Sequence, residues 1–205
     1  VGSDLKIFPS DYLRFYLVSI NPYSQDDLNF NWDEFATKIN SELIGNLGNL
    51  VNRALGFTVK SFNSIVPDPE KFDDMDEESE KMIHELASQL SVLMEENHLD
   101  RALKKILQFS AHFNQYFQHK EPWKNGPGTS SCVFLSVNAV RSLAIAIYPF
   151  MPESSQKIWV QLGLEGNVSA QMFDQISNIT LNQGHKLGSV SPLFEKVEES
   201  VIDEQ

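Results

Sequence analysis

Residues 31–62 contain no proline and repeat their apolar side chains at helical spacing. On a helical wheel Leu43, Leu47, Leu50, Ala54 and Phe57 share one side, and Ile44, Val51, Leu55 and Phe62 widen it. That is the broad apolar stripe of a core helix. At a rise of about 1.5 Å per residue the helix would be on the order of 48 Å long, and the rest of the chain must be organised around it. Its opposite side carries Glu42, Gly45, Asn46, Asn49, Arg53, Gly56 and Lys60 within a narrow arc. Glycine inside a helix costs roughly 1 kcal/mol relative to alanine. Gly45 and Gly56 therefore call for a reason, such as a second backbone or a bulky planar ligand coming close. Asn49 and Arg53 are four residues apart and point the same way. Together they offer amide and guanidinium donors and an amide acceptor, a set suited to the edge of an unpaired base.

The remaining pattern predicts further helices. Tyr12, Leu13, Tyr16, Leu17 and Ile20 form the apolar side of a short one at 9–20, stopped by Asn21-Pro22. After a polar connector and the long helix, Pro67 and Pro69 open an acidic stretch. Ile83, Leu86, Leu90, Leu93 and Met94 predict a helix over about 75–95, and Ala102, Leu103, Ile106, Phe109, Phe113 and Phe117 one over about 99–119. Residues 121–128, Glu-Pro-Trp-Lys-Asn-Gly-Pro-Gly, read as a loop. A nearly all-apolar helix at about 130–147 should be central, followed by a short one around 154–162. Residues 163–190 are weakly structured by pattern, and Pro192 can open a last amphipathic helix over 193–202. With no strand alternation, the chain reads as an all-α bundle with mostly antiparallel neighbours.

Charge narrows the function. The formal net charge of −12 argues against a nucleic-acid partner at first sight. Residues 68–100, however, hold twelve acids and two bases, which leaves 16 acids and 14 bases elsewhere. The acidity is local and reads as a solvated loop and helix face. No apolar run approaches the roughly 20 residues that span a bilayer, so no membrane is expected. The single cysteine, Cys132, excludes internal disulfides and a cysteine-built zinc cage, and points to a cytoplasmic location. The chain starts Val-Gly-Ser rather than Met, as a processed chain or an excised piece would.

Catalytic chemistry is missing. There is no Gly-x-Ser-x-Gly, no phosphate-cradling glycine loop and no His-Glu-x-x-His. His112 and His119 lie seven apart without a third ligand, and read as satisfied surface histidines. Asp73, Asp74 and Asp76 lack the glycine and terminal glutamate of a calcium loop. No catalytic residue and no metal ligand is therefore expected. Pro122-Trp123 is a second candidate beside Asn49 and Arg53. An aromatic ring at a loop tip can stack on an unpaired base for about 1 to 3 kcal/mol. The plainer alternatives stay open at this point: Trp123 as a cap on the bundle core, and Asn49 and Arg53 as ordinary helix-surface residues.

The combination carries more. Asp11-Tyr12-Leu13-Arg14-Phe15-Tyr16-Leu17, Phe30-Asn31-Trp32-Asp33-Glu34-Phe35, Asn40-Ser41-Glu42-Leu43 and Gly48-Asn49-Leu50-Val51-Asn52-Arg53 occur in that order. Glu121-Pro122-Trp123 and Ser191-Pro192-Leu193-Phe194-Glu195-Lys196 follow them. Together they resemble methionyl-tRNA synthetase just beyond its catalytic domain, in the archaeal and eukaryotic branch, over about residues 9–197.

The resemblance implies an anticodon-binding helix bundle of the class I aminoacyl-tRNA synthetases. Its partner would be methionine tRNA, held by the CAU anticodon, while a separate catalytic domain activates methionine with ATP. Asn49 and Arg53 resemble the pair that reads anticodon bases, and Trp123, with Pro122 beside it, the tryptophan on which the first base stacks. Residues 1–30 would be the end of the stem-contact region and 31–205 the helical domain, with 184–196 returning toward the junction. The ATP signatures of HIGH and KMSKS type and the cysteines of the zinc-bearing insertion are absent. ATP and zinc would therefore belong to the catalytic part, with no cofactor in this chain and no aminoacylation by it alone. The competing readings are a helical protein-interaction module and the anticodon domain of another class I synthetase.

Overall fold

The computed structural model describes residues 8–20 and 30–198. The expected connector at 23–30 lies almost wholly outside them, as do residues 1–7 and 199–205.

The long rod is present but is not one uniform helix. It runs through α2 (Trp32–Lys38), a π-helical segment (Ile39–Gly48) and α3 (Asn49–Phe62). Asn31 starts it: its side chain accepts from the Glu34 N–H at 2.9 Å. In the wide segment hydrogen bonds reach five residues back, as from the Asn49 N–H to the Ile44 carbonyl. Such turns are rare and frequently mark functional sites. Of the predicted stripe Leu43, Leu47, Leu50, Val51, Ala54 and Leu55 are buried, as is Ile39 before it, while Ile44, Phe57 and Phe62 are partly buried. Asn63 ends the rod in the left-handed region with φ 52°.

Around it stand α1 (Ser10–Ile20), α4 (Asp74–Glu95), α5 (Leu99–Lys120), α6 (Thr129–Ala146) and α7 (Pro152–Gln161), with no strand among the described residues. Helix α6 is buried over almost its whole length and packs against α3, α4, α5 and α7. By length and composition it could cross a membrane, but 89% of it is covered by the other helices, the position of a core helix.

Helix starts are set by distant side chains. Asp11, almost fully buried on α1, accepts from the Ser154 N–H at 2.6 Å and caps α7. Glu70, in the acidic connector, accepts from the Gly128 N–H at 3.0 Å and serves α6 in the same way. Asp73 and Asp76 form a reciprocal capping box on α4. Part of the acidic stretch is therefore structural, not merely solvated.

Residues 163–190 are better anchored than their pattern suggests. Asn138 of α6 accepts from the Thr180 and Leu181 N–H groups at 3.1 and 3.0 Å, and buried Arg141 donates to the Gln175 and Asn178 carbonyls at 2.8 and 3.1 Å. Gly163 and Gly188 touch backbone to backbone: a Cβ on either would stand 2.3 Å from a main-chain oxygen.

The expected last helix is absent over 193–198, and its remainder lies outside the described residues. The segment runs extended instead. Tyr12 accepts from the Glu195 N–H at 2.7 Å, and Asn40 accepts from the Val197 N–H at 3.0 Å and donates to the Val197 carbonyl at 2.9 Å. These bonds replace the ones a helix would have made. The Phe194 ring lies where a Cβ on Gly48 would come within 3.0 Å of it.

Candidate functional site

Helix α3 offers its polar arc to α5 and to the loop that follows α5. That loop is a short 3-10 turn, Pro122–Lys124, set between Glu121 (φ 44°) and Asn125 (φ 52°). Left-handed backbone costs a glutamate roughly 1 kcal/mol or more. The turn buries Pro122 and leaves Trp123 43% exposed. One part of the ring rests near Phe117, with centroids 6.4 Å apart.

Arg53 completes the arrangement. Its guanidinium carbon lies 5.0 Å from the Phe117 ring centre and 5.8 Å from that of Trp123. One nitrogen donates to the Gln118 side-chain oxygen at 3.0 Å and the other to the Asn114 carbonyl at 3.4 Å. Three of the five N–H donors of a guanidinium stay uncommitted among the described residues. Partial burial lowers the Arg53 pKa from its ordinary value, yet the group stays charged.

Between them opens a groove of about 480 Å³ lined by Arg53, Gly56, Phe57, Lys60, Phe117 and Trp123, together with residues 190–192. It contains two cations and no carboxylate, in a chain whose net charge is −12. Such a site favours an anionic, planar ligand.

Asn49 stands in an adjoining groove of about 350 Å³, with Gly45, Gly48 and Phe194, and the two grooves share Asn52 and Pro192. Arg53 and Trp123 thus meet directly, Asn49 joins them one groove away, and buried Pro122 supports the turn without lining either groove. Among the described residues a Cβ at either glycine of the arc would meet only the rod itself. A Cβ at Gly56 would find only Asn52 Oδ1 at 3.8 Å, and at Gly45 only the rod's own Asn40 carbonyl at 3.3 Å. The close approach falls on Gly48 instead. Gly56 leaves its space open to the larger groove.

Sequence reasoning missed Asn114 and Gln118, which hydrogen-bond Asn49 and Arg53, and it placed Asn46, which holds Asn114, and the groove residue Lys60 on the polar arc without giving them a part in the site. Asn114 and Gln118 stand four apart on α5, the spacing that could have flagged them. The histidines are satisfied as expected: His112 pairs with Ser79 Oγ at 3.0 Å, half-buried rather than on the surface, and His119 with the Gln115 carbonyl at 2.9 Å. Among the described residues no group of acids, histidines and cysteine could hold a metal. Burial pushes the Cys132 thiol up to about 12, which keeps it out of thiolate chemistry.

The sequence matches two family models: "tRNA synthetases class I (M)" over residues 2–55, and "Anticodon binding domain of methionyl tRNA ligase" over residues 66–205. Methionine–tRNA ligases of Pyrococcus horikoshii and Pyrococcus furiosus are 36% and 38% identical over 202 residues, which is 97% of this chain and 27% of theirs. The cytoplasmic methionine–tRNA ligase of Caenorhabditis elegans is 37% identical, over 96% of this chain and 22% of its own. The free methionyl-tRNA synthetase of Mycobacterium tuberculosis superposes with a TM-score of 0.83 at 25% identity, over 92% of this chain and 39% of that one. Its complex with methionyl-adenylate superposes with a TM-score of 0.84. The chain spans about a quarter of the length of the curated relatives it matches.

Proposed function

The chain belongs to the methionyl-tRNA synthetase family and carries its anticodon-binding domain, and from that premise we propose that the paired grooves hold the CAU anticodon of methionine tRNA. Trp123 stacks on one unpaired base. Arg53 supplies edge or backbone hydrogen bonds from its uncommitted N–H groups. Asn49 reads a second edge, and Pro122 fixes the turn that presents the ring. Wrong bases are rejected because polar groups in the site go unpaired.

One observation carries this reading. An exposed tryptophan and a part-buried arginine, 5.8 Å apart, share a carboxylate-free groove.

The wider activity follows from the same premise. Methionine and ATP are handled by a catalytic domain that is the partner of this one. Residues 1–30 serve as the end of the stem-contact region and 31–205 as the helical domain. In support, α1 is fastened to the bundle from both sides: Asp11 caps α7, and Tyr12 holds the main chain of Glu195. The location is cytoplasmic, like that named for the C. elegans relative.

The test is tryptophan fluorescence during titration with CAU and altered stem-loops. CAU loops should quench, altered loops should bind more weakly, and Trp123→Ala should remove both the signal and much of the affinity. Arg53→Ala should narrow the gap between CAU and other anticodons. Equal binding of all loops by the unmodified chain would refute the assignment.

A further inference from the structure

Behind Asn49 lies a chain of side-chain amides whose polarity is set at its far end. An amide side chain can present oxygen or nitrogen in either direction unless a group of fixed polarity decides. Here main-chain carbonyls decide. Asn46 Nδ2 donates to the Leu107 carbonyl at 2.9 Å, which turns Asn46 Oδ1 away from it. Asn114 Nδ2 donates to the Asn46 carbonyl at 2.9 Å and to Asn46 Oδ1 at 3.2 Å. Asn114 Oδ1 must then face α3, where it accepts from Asn49 Nδ2 at 2.7 Å. Asn49 is left with its Oδ1 and one Nδ2 N–H unpartnered among the described residues, on a side chain that lines the smaller groove, and the lock decides which of the two positions holds the acceptor. A flipped Asn49 would set two amide oxygens against each other at hydrogen-bond distance, so the polarity is locked.

We propose that Asn114 is a positioning residue for base recognition: by fixing the Asn49 amide it sets where the groove presents an acceptor, and so selects an unpaired base with an amino group at pyrimidine C4 or purine C6. Cytosine and adenine carry that donor. In the same pose uracil and guanine place a carbonyl at that position, which would meet the Asn49 oxygen acceptor to acceptor and leave both unpaired. The proposal rests on the reading of the grooves as a base-binding site. Asn114 acts on the base only through Asn49. It also lends its main-chain carbonyl to Arg53, so one residue of α5 sets both reading groups.

The experiment compares the 205-residue chain and its variants on stem-loops with and without the amino groups. The loops are CAU, a loop with uracil in place of the cytosine, and a loop with unsubstituted purine in place of the adenine. For the unmodified chain, at least one amino-free loop should bind about tenfold or more weakly than CAU. Asn114→Ala should shrink that ratio to within about twofold, as should Asn49→Ala, and the double variant should shrink it no further. Asn114→Asp keeps an acceptor toward Asn49 and should keep the ratio, even at lower stability. A purely structural role would weaken every loop by the same factor.

An unchanged ratio in a folded Asn114→Ala chain overturns the proposal. So does an unmodified chain that ignores both amino groups while binding CAU through Trp123. If Asn114→Ala does not fold, Asn49→Ala decides, because a ratio that survives it is equally fatal. A chain that binds no loop, or binds them all without response to Trp123→Ala, fails the reading of the grooves themselves.

Discussion

Facing α4, the end of α5 contributes Tyr116 and Lys120 to the buried carboxylate of Asp76. Facing α3, the same two turns contribute Asn114 and Gln118 to Asn49 and Arg53. The first cluster is closed. Asp76, 1% exposed, accepts from Tyr116 at 2.6 Å, from Lys120 at 2.7 Å and from the Asp73 N–H at 3.1 Å. The second is open: the amide chain ends on an unpartnered oxygen, and Arg53 keeps donors to spare. Both clusters are polar and both join helices. What separates fastening from recognition here is the hydrogen-bonding capacity left over.

The contrast is broken most forcefully at Asp76. Asp76→Ala strands the Tyr116 hydroxyl, leaves the 10%-exposed Lys120 ammonium with Asp73 alone, and removes half of the capping box. Loss of one partner from a buried ion pair costs about 3 to 5 kcal/mol. Urea unfolding should show a loss of that size, while the surviving folded chain should still rank stem-loops as before. Trp123→Ala should do the reverse. It should cost about 1 to 3 kcal/mol of stem-loop affinity with little change in the unfolding midpoint, because the ring is 43% exposed. If Trp123→Ala instead destabilised the fold and spared binding, the ring would be a cap on the core.

How much of this could be read from the sequence differs between the two clusters. The stripe on 31–62 names the buried face of the rod because each apolar residue there meets the core through its own spacing. Asn49, Arg53 and Trp123 were visible as donors and a ring, and family motifs set them side by side. Their supports were not. Asn114 and Gln118 sit beside Phe109, Phe113 and Phe117, where helical spacing assigns them to the outer edge. Their role depends on partners 65 residues earlier in the chain. Glu70, Asp73 and Asp76 were hidden in an acid run, since counting charges says nothing about which carboxylate meets an N–H or an ammonium. The helix expected over 193–202 failed for a tertiary reason. Leu193, Phe194 and Val197 have amphipathic spacing, but Tyr12 and Asn40 take up the main-chain groups a helix would need. Residues 163–190 gained order the same way, from Asn138 and Arg141 on an otherwise apolar helix.

Gly56 sharpens the comparison from the open side. A Cβ there meets nothing closer than 3.8 Å, and the backbone is ordinary helix. Gly56→Ala should therefore stabilise the fold by up to about 1 kcal/mol. The same methyl would stand in the larger groove. Higher stability with weaker stem-loop binding would mean the glycine is kept for a ligand. A gain in stability with unchanged affinity would remove Gly56 from the site.

The smallest expected effect lies at the rim of the closed cluster. The Lys120 ammonium hydrogen-bonded to Asp73 at 2.7 Å holds that carboxyl below the usual carboxylate range, helped by the Asp76 and Met75 N–H groups and opposed by partial burial. For Lys120, burial alone would lower the pKa, but hydrogen bonds to Asp73 and Asp76 outweigh it and raise the group above its ordinary value. A depressed carboxylate contributes stability that is complete above its unfolded pKa and is lost as pH falls through the folded one. A raised ammonium contributes below its unfolded pKa and loses that contribution as pH rises through the folded one. Asp73→Asn keeps a good N-cap through Oδ1 and removes the charge together with the oxygen that accepts from Lys120. It should flatten the fall in stability across about pH 2 to 4 and lower the pH at which Lys120 titrates, measured as urea midpoints against pH. The change should be small, because the Asp73 side chain is 63% exposed and solvent screens it. Discrimination between stem-loops should not move at all, since neither groove contains Asp73. A shift in loop ranking with this variant would mean that the two clusters communicate through α5, and the division between a closed clamp and an open reader would no longer hold.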